Sequence, residues 1–228
     1  MPGTDYAADA SGELTLYVVP NADFNGTTTF DYSATDDLGL DSVVDTALIE
    51  VTAVNDDPTL TGLDSNVAYT ENAGPVIIDD DVVLFDAELD ALGTSGNYDG
   101  ATLSIARVGG AQPEDRFSNT GGRLGPLMQG TPLVYDGDDV GLVDLNSGGQ
   151  LILRFNSNAT DTVINGIARA IAYENSSDAP PASVDLEWGF DDRSTVGGTS
   201  APAVENIQVD ITRVNDAPVV NDLSLIHI

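Results

Sequence analysis

The phrase Val54-Asn55-Asp56-Asp57-Pro58 returns near the end of the chain as Val214-Asn215-Asp216-Ala217-Pro218. Each copy closes a run with strand character, Leu48-Ile49-Glu50-Val51 before the first and Ile207-Gln208-Val209-Asp210-Ile211 before the second. A punctuation mark repeated in one chemical context is the signature of a modular array, so the chain reads as units joined by linkers rather than as one continuous core. Each copy offers an amide, one or two carboxylates and a proline that stiffens the backbone. Oxygen ligands on a stiff joint are what a hard cation such as calcium takes. A single copy would pass for a polar turn containing a proline; the recurrence favours a joint.

The charge balance narrows the partners. Of 228 residues 38 are acidic and 7 basic, a formal net charge of −31. Nucleic acid and anionic membrane present the same sign and are excluded as partners. Only eight of the acids are Glu, and short Asp side chains in turns suit hard cations better than they suit helix surfaces. A solvated acidic surface still accounts for most of them. Hydrophobic content of 41% is ordinary for a globular chain, so this is not a disordered acidic tail.

Absences point away from catalysis. The chain has no cysteine and no lysine, and its one histidine is His227. Disulfides, thiolate metals, Schiff bases and His-based triads therefore have no basis. A glycosidase-type carboxylate pair would be one pair among many, and nothing singles it out. The expectation is a protein that is not an enzyme. No apolar run is long enough, at about 18 residues, for a membrane-spanning helix.

Residues 1–57 read as β. Leu14, Leu16 and Val18 alternate with other positions, as do Phe30, Tyr32 and Ala34, then Ala47, Ile49, Val51 and Ala53. Three strands do not close a sandwich, so this stretch is expected to be the C-terminal half of a repeat. Residues 58–218 read as one complete, enlarged unit, with strands around Val76-Ile77-Ile78, Val82–Phe85, Thr102–Ile105, Leu151–Phe155, Val184–Phe190 and Ile207–Ile211. Its Gly-rich middle breaks the chain into short hairpins. Apolar residues at Ile164, Ile167, Ala168 and Ile171 change the period and predict one short helix over 163–171, with Thr160 or Asp161 as cap. Gly166 inside it costs about 1 kcal/mol relative to alanine. Residues 219–228 read as the start of a further linker, of which 223–228 break the compositional style and read as a cloning or sequencing scar. Many short strands, frequent turns and one minor helix predict an all-β fold of tandem Greek-key β-sandwich units.

These residues carry a family likeness. Pro20–Thr27 with Phe30-Asp31-Tyr32 and Asp36-Asp37-Leu38-Gly39 resembles the closing half of a bacterial cadherin-like repeat, and Val214–Pro218 matches its closing phrase letter for letter. Tyr69-Thr70-Glu71-Asn72, Ile171–Asp178 and Trp188–Asp192 resemble the opening, the stretch after the helix and the penultimate strand of an enlarged version. The resemblance covers residues 14–218 and implies a large, repetitive secreted or bacterial cell-surface protein of the RTX-adhesin kind, with tandem cadherin/Ig-like sandwiches as a stalk. It implies calcium between repeats, held by a glutamate near the start of a repeat, acids after its penultimate strand and the linker. Glu71 fits the first; Asp36 and Asp37, or Asp191 and Asp192, fit the second; Asn55, Asp56 and Asp57, or Asn215 and Asp216, fit the third. Glu71 is thereby expected at the first joint with Asp36, Asp37, Asn55 and Asp56. The acid that leads the family's linker is replaced by Ala53 and Arg213, which implies fewer ions than a full cluster. Asp79-Asp80-Asp81 and Asp86, Glu88 and Asp90 are further candidate calcium ligands, although surface turns explain them equally well. The implied partners are neighbouring repeats of the same chain.

A different function is legible at 107–142, where Arg107, Arg116 and Arg123 lie near Phe117, Met128 and Tyr135. Loops on a rigid scaffold carry recognition, and this stretch is the alternative candidate for binding a cell-surface glycan or protein. Pairing of each arginine with a nearby carboxylate (Glu114, Asp115 or Asp136) is the structural explanation.

Overall fold

A computed structural model describes residues 6–9, 11–22, 24–63, 66–193 and 200–217. The expectations for 219–228 lie outside these. The chain divides into two compact units, Met1–Ala53 and Val54–Ile228. That division falls before the proline at which the sequence places it, because Asn55, Asp56 and Asp57 all direct hydrogen bonds into the second unit.

The first unit holds one antiparallel hairpin, β1 (Gly26–Tyr32) and β2 (Asp45–Val51), in register from Gly26↔Val51 to Tyr32↔Asp45. The loop between them is closed by Asp36, whose Oδ1 accepts from the N–H groups of Leu38 and Leu40. Among the described residues the strand expected over 14–18 does not form: the alternation is there, but none of them pairs with it as a ladder partner. Alternation marks a two-faced segment; only backbone pairing makes it a strand.

The second unit follows in the order β3 (Thr59–Thr61), β4 (Val67–Thr70), β5 (Val76–Ile77), β6 (Val83–Phe85), α1 (Ala87–Asp90), β7 (Thr102–Arg107), β8 (Asp115–Asn119), β9 (Pro132–Tyr135), β10 (Asp138–Ser147), β11 (Gln150–Phe155), α2 (Asp161–Ala168), β12 (Ile171–Asn175), β13 (Ser183–Asp191) and β14 (Ala203–Thr212). One sheet has the order β4-β14-β13-β7-β11-β10-β9; β5-β12-β8 and β3-β6 form the smaller sheets. The chain crosses between sheets from β7 to β8 and from β12 to β13, the non-sequential neighbours of a Greek-key β-sandwich. The all-β, Greek-key class expected from the sequence is what the strands form.

Alternation builds the core. On β13, Val184, Leu186, Trp188 and Phe190 are buried while Ser183, Asp185 and Glu187 are exposed. They join Leu103 and Ile105 of β7, Leu151 and Leu153 of β11, and Leu84, Phe117, Ile171 and Tyr173 of the smaller sheets in one apolar cluster. The Gly-rich middle makes hairpins as expected. Asp136 and Gly137 both take positive φ, 55° and 91°, between β9 and β10, the two-residue turn whose twist matches paired strands.

Two helices stand where one was expected. The helix α2 starts two residues before the periodicity predicts and stops three residues before it, the early stop because Ile171 is recruited into β12 opposite Asn119. The extra helix, α1, is a single turn capped by Asp86, whose carboxylate accepts from Leu89 N–H at 2.8 Å.

Candidate cation sites

Two groups of buried carboxylates meet the linkers of the second unit. The first surrounds Asn55. Its Nδ2 donates to Asp192 Oδ2 at 2.9 Å and to the Asp56 carbonyl at 3.1 Å. Asp192, 3% exposed, also accepts from Ser200 Oγ at 2.6 Å. The Asp56 backbone N–H donates to Glu88 Oε2 at 3.1 Å, and Asp57 Oδ1 accepts from Ala201 N–H at 2.9 Å. Pairing of Thr59 with Phe85 in the β3–β6 ladder sets Asp86 and Glu88 beside the linker.

Asp86 is 1% exposed. One of its oxygens caps α1; the other, Oδ2, is buried without a hydrogen-bond partner among the described residues, as is Asn55 Oδ1. Burial pushes the Asp86 carboxyl up to about 6, opposed by the Leu89 N–H and reinforced by the negative charges of Asp192 and Glu88. Buried acceptor oxygens without donors are costly unless something positive completes them.

The second group surrounds Glu71, 3% exposed. Its Oε2 accepts from Val214 N–H at 2.8 Å, its backbone N–H donates to Thr212 O at 3.0 Å, and its Oε1 is buried without a partner. Asn215 Nδ2 donates to the Asp216 carbonyl at 3.2 Å, repeating the local bond of Asn55 to Asp56. The two linkers thus share this local bond.

The arrangement corrects the expected grouping. Glu71 was expected with Asn55 at the first joint but belongs with the second linker; Asp192 is with Asn55, not with Asn215 and Asp216. The register explains the exchange. β13 is antiparallel to β14, so its end lies beside the start of β14, whereas β4 is parallel and ends beside the exit. Ten residues of β14 separate the two groups by about 30 Å. Asp191 is engaged with Arg193, to which it forms an ion pair at 3.0 Å. Asp36 and Asp37 are exposed turn residues of the first unit. Asp79 caps its own turn by accepting from Asp81 and Val82 N–H.

Among the described residues no three His, Cys, Asp or Glu side chains converge as a metal-holding group. The fit at the first linker is instead to a mixed donor set, with the Asp86 and Asp192 carboxylates and the Asn55 amide oxygen as the fitting donors and Glu88 beside them. Hard cations accept such oxygen sets. Asp86 and Glu88 were legible as candidate ligands, but not their grouping with the Asn55 linker, since only the β3–β6 pairing sets them beside it.

The arginines of 107–142 are largely committed. Arg107 pairs with Asp115, which is 2% exposed and also accepts from Tyr173 OH at 2.6 Å and Asn175 Nδ2 at 3.0 Å. Arg123 pairs with Asp136 and lies 4.7 Å over the Tyr135 ring. Among the described residues Arg116 makes no ion pair. A cleft of about 420 Å³ opens beside Arg123, Tyr135, Asp138, Asn158 and Thr162.

No protein-family model matches the chain, and no curated protein matches it by sequence. Among solved structures the chain is similar to human protocadherin-24 EC1-2, with a TM-score of 0.40 and 13% identity over 88% of this chain and 73% of that one. A score that low carries no functional argument; the fold assignment rests on the strand order.

Proposed function

We propose that this chain is a non-catalytic, cadherin-like structural segment of a repetitive bacterial surface or secreted protein, a spacer of the RTX-adhesin kind stabilised by calcium. The observation that carries the reading is the pair of buried, partnerless oxygens, Asp86 Oδ2 and Asn55 Oδ1, beside the buried Asp192 carboxylate. A bound cation would supply the missing positive charge. The chain's own residues do the positioning: the β3–β6 ladder sets Asp86 and Glu88 beside the linker, Glu88 accepts from Asp56 N–H, and Ser200 orients Asp192. Glu71, Asn215 and Asp216 offer the same chemistry at the second linker.

The alternative, recognition of a glycan or protein by 107–142, draws on the cleft beside Arg123 and Tyr135. It is the weaker reading, because Arg107 and Arg123 are already neutralised by Asp115 and Asp136.

Calcium titration with thermal melting tests the proposal. Extracellular modules bind calcium at about 10⁻⁴–10⁻³ M, and a hundredfold excess over such a constant adds about 2.7 kcal/mol per site. Chelation should lower Tm, Asp86→Asn should remove most of the calcium response, and sodium chloride at equal ionic strength should not restore it. Full rescue by sodium would leave charge screening as the whole explanation.

A further inference from the structure

We propose that Asn25 is a self-modification site, at which the chain converts its own amide to a carboxylate without an enzyme. The backbone nitrogen of Gly26 attacks Cγ of Asn25 and closes a five-membered succinimide. The bond from Cγ to the carboxamide nitrogen breaks, and that nitrogen leaves as ammonia, carrying the proton that Gly26 gives up through solvent. Water then opens one of the two imide bonds. The product is Asp, or isoaspartate, in which the main chain runs through the side chain. Nucleophile and electrophile are held in one dipeptide, so the step needs no second reactant but water. It does need a following residue without a side chain, a carboxamide free to turn and a backbone N–H free to meet it. The inference is independent of the spacer reading.

Glycine follows Asn or Asp at Asn25-Gly26, Asp99-Gly100, Asp136-Gly137 and Asn165-Gly166. The fold blocks the last three, each by a different means. The Asn165 carboxamide is pinned by Leu84 N–H at 2.8 Å, Leu84 O at 3.2 Å and Asp161 Oδ1 at 2.9 Å, so it cannot turn. Gly166 lies inside α2, where its N–H belongs to the helix ladder. At Asp99-Gly100 the glycine N–H donates to Phe155 O at 3.1 Å. At Asp136-Gly137 the carboxylate is held by Arg123 Nε, 2.7 Å from both oxygens. Asn25 meets none of these obstacles. It is exposed and lies outside the strands, just before β1. No atom stands within 4 Å of where a Cβ on Gly26 would be, so base and water reach the reacting bond. Gly26↔Val51 is the end pair of the hairpin ladder, and end pairs open locally at little cost. Conversion adds one negative charge there, and isoaspartate adds a methylene to the main chain where it enters β1.

Timed incubation of the full chain tests this. Samples held at body temperature in mildly alkaline and mildly acidic buffer, in chelator, are digested under acid and read by mass spectrometry for the amide-to-acid mass gain. Labelling by an isoaspartate methyltransferase distinguishes the two products. The peptide holding Asn25 should convert, several-fold faster in the alkaline buffer because base must remove the Gly26 proton, while the peptide holding Asn165 stays intact. In urea the two should convert at similar rates, since both are Asn-Gly and only the fold separates them. Asn25→Gln should abolish the signal, because its ring closure is disfavoured, and Gly26→Ala should slow it several-fold. If Gly26→Ala disturbs the hairpin, Asn25→Gln still carries the comparison. Conversion of Asn165 in the native chain as fast as Asn25 overturns the proposal. So does a native chain in which Asn25 stays intact while both convert in urea, since the hairpin then protects it.

Discussion

The side chain of Asn165, on α2, pairs with the backbone of Leu84, on β6, as a neighbouring strand would. Its Oδ1 accepts from Leu84 N–H at 2.8 Å and its Nδ2 donates to Leu84 O at 3.2 Å. Arg169, one turn on, donates to Val82 O at 2.8 Å. The helix therefore seals an edge of the β3–β6 sheet by hydrogen bonds as well as by packing Ile164 and Ile167 into the core. Asn165→Ala should strand two buried backbone groups of Leu84 and cost about 2–4 kcal/mol in urea unfolding. Asn165→Asp should cost at least as much, because it turns a donor to the Leu84 carbonyl and to Asp161 into a buried carboxylate oxygen facing both.

Gly166 is explained by its neighbour. A Cβ there would overlap the hydroxyl of Tyr135. Helix propensity favours alanine by about 1 kcal/mol, yet Gly166→Ala should destabilise, since overpacking costs about 1–3 kcal/mol. Tyr135→Phe removes the overlapping oxygen and should recover part of the loss in the double variant. Additive effects would show that the two residues do not meet.

Acidity should act on Asp86 with a definite sign. Its folded carboxyl is raised to about 6 from an ordinary 3.8, so the native state binds this proton more tightly than the unfolded chain. In chelator, stability should rise as pH falls from 7 through 6 and level off below about 4. Asp192 and Glu88 are the charges this proton relieves. Asp86→Asn should flatten the rise. With calcium bound the trend should reverse, because the proton and the ion need the same oxygen.

The Arg107–Asp115 pair should behave as structure rather than as a binding surface. Asp115→Asn should cost about 3 kcal/mol, the low end for breaking a buried pair, because Arg107 keeps 20% of its side chain in water. Added salt should hardly change that loss. The exposed Arg123–Asp136 pair should contribute little, and that little should fade with salt.

Strands with polar–apolar alternation, such as β13, were legible from sequence because one face is buried and the period of two survives. The hairpin turns at Asp136-Gly137 and Gly148-Gly149 were legible because glycine tolerates positive φ. The extent of α2 was misjudged at Ile171, where an apolar residue serves a strand as well as it would a helix face. The linkers were visible as a repeated phrase, but their partners were not. Which carboxylate reaches Asn55 depends on whether β13 and β4 run with or against β14, and no local pattern carries that direction.

The Asn55–Asp192 bond also constrains how the protein is made. The amide leaves the ribosome long before the carboxylate that secures it, and β4 must wait longer still for β14. Until the final strand emerges, the edge strand β4 has no strand to pair with. The unit cannot close progressively from its front, because contacts this distant in sequence form late and slowly. The nascent unit should therefore stay open, with its apolar strands exposed, until its last residues are free. A dense coat of Asp, repelling other chains during that interval, would guard it against mispairing.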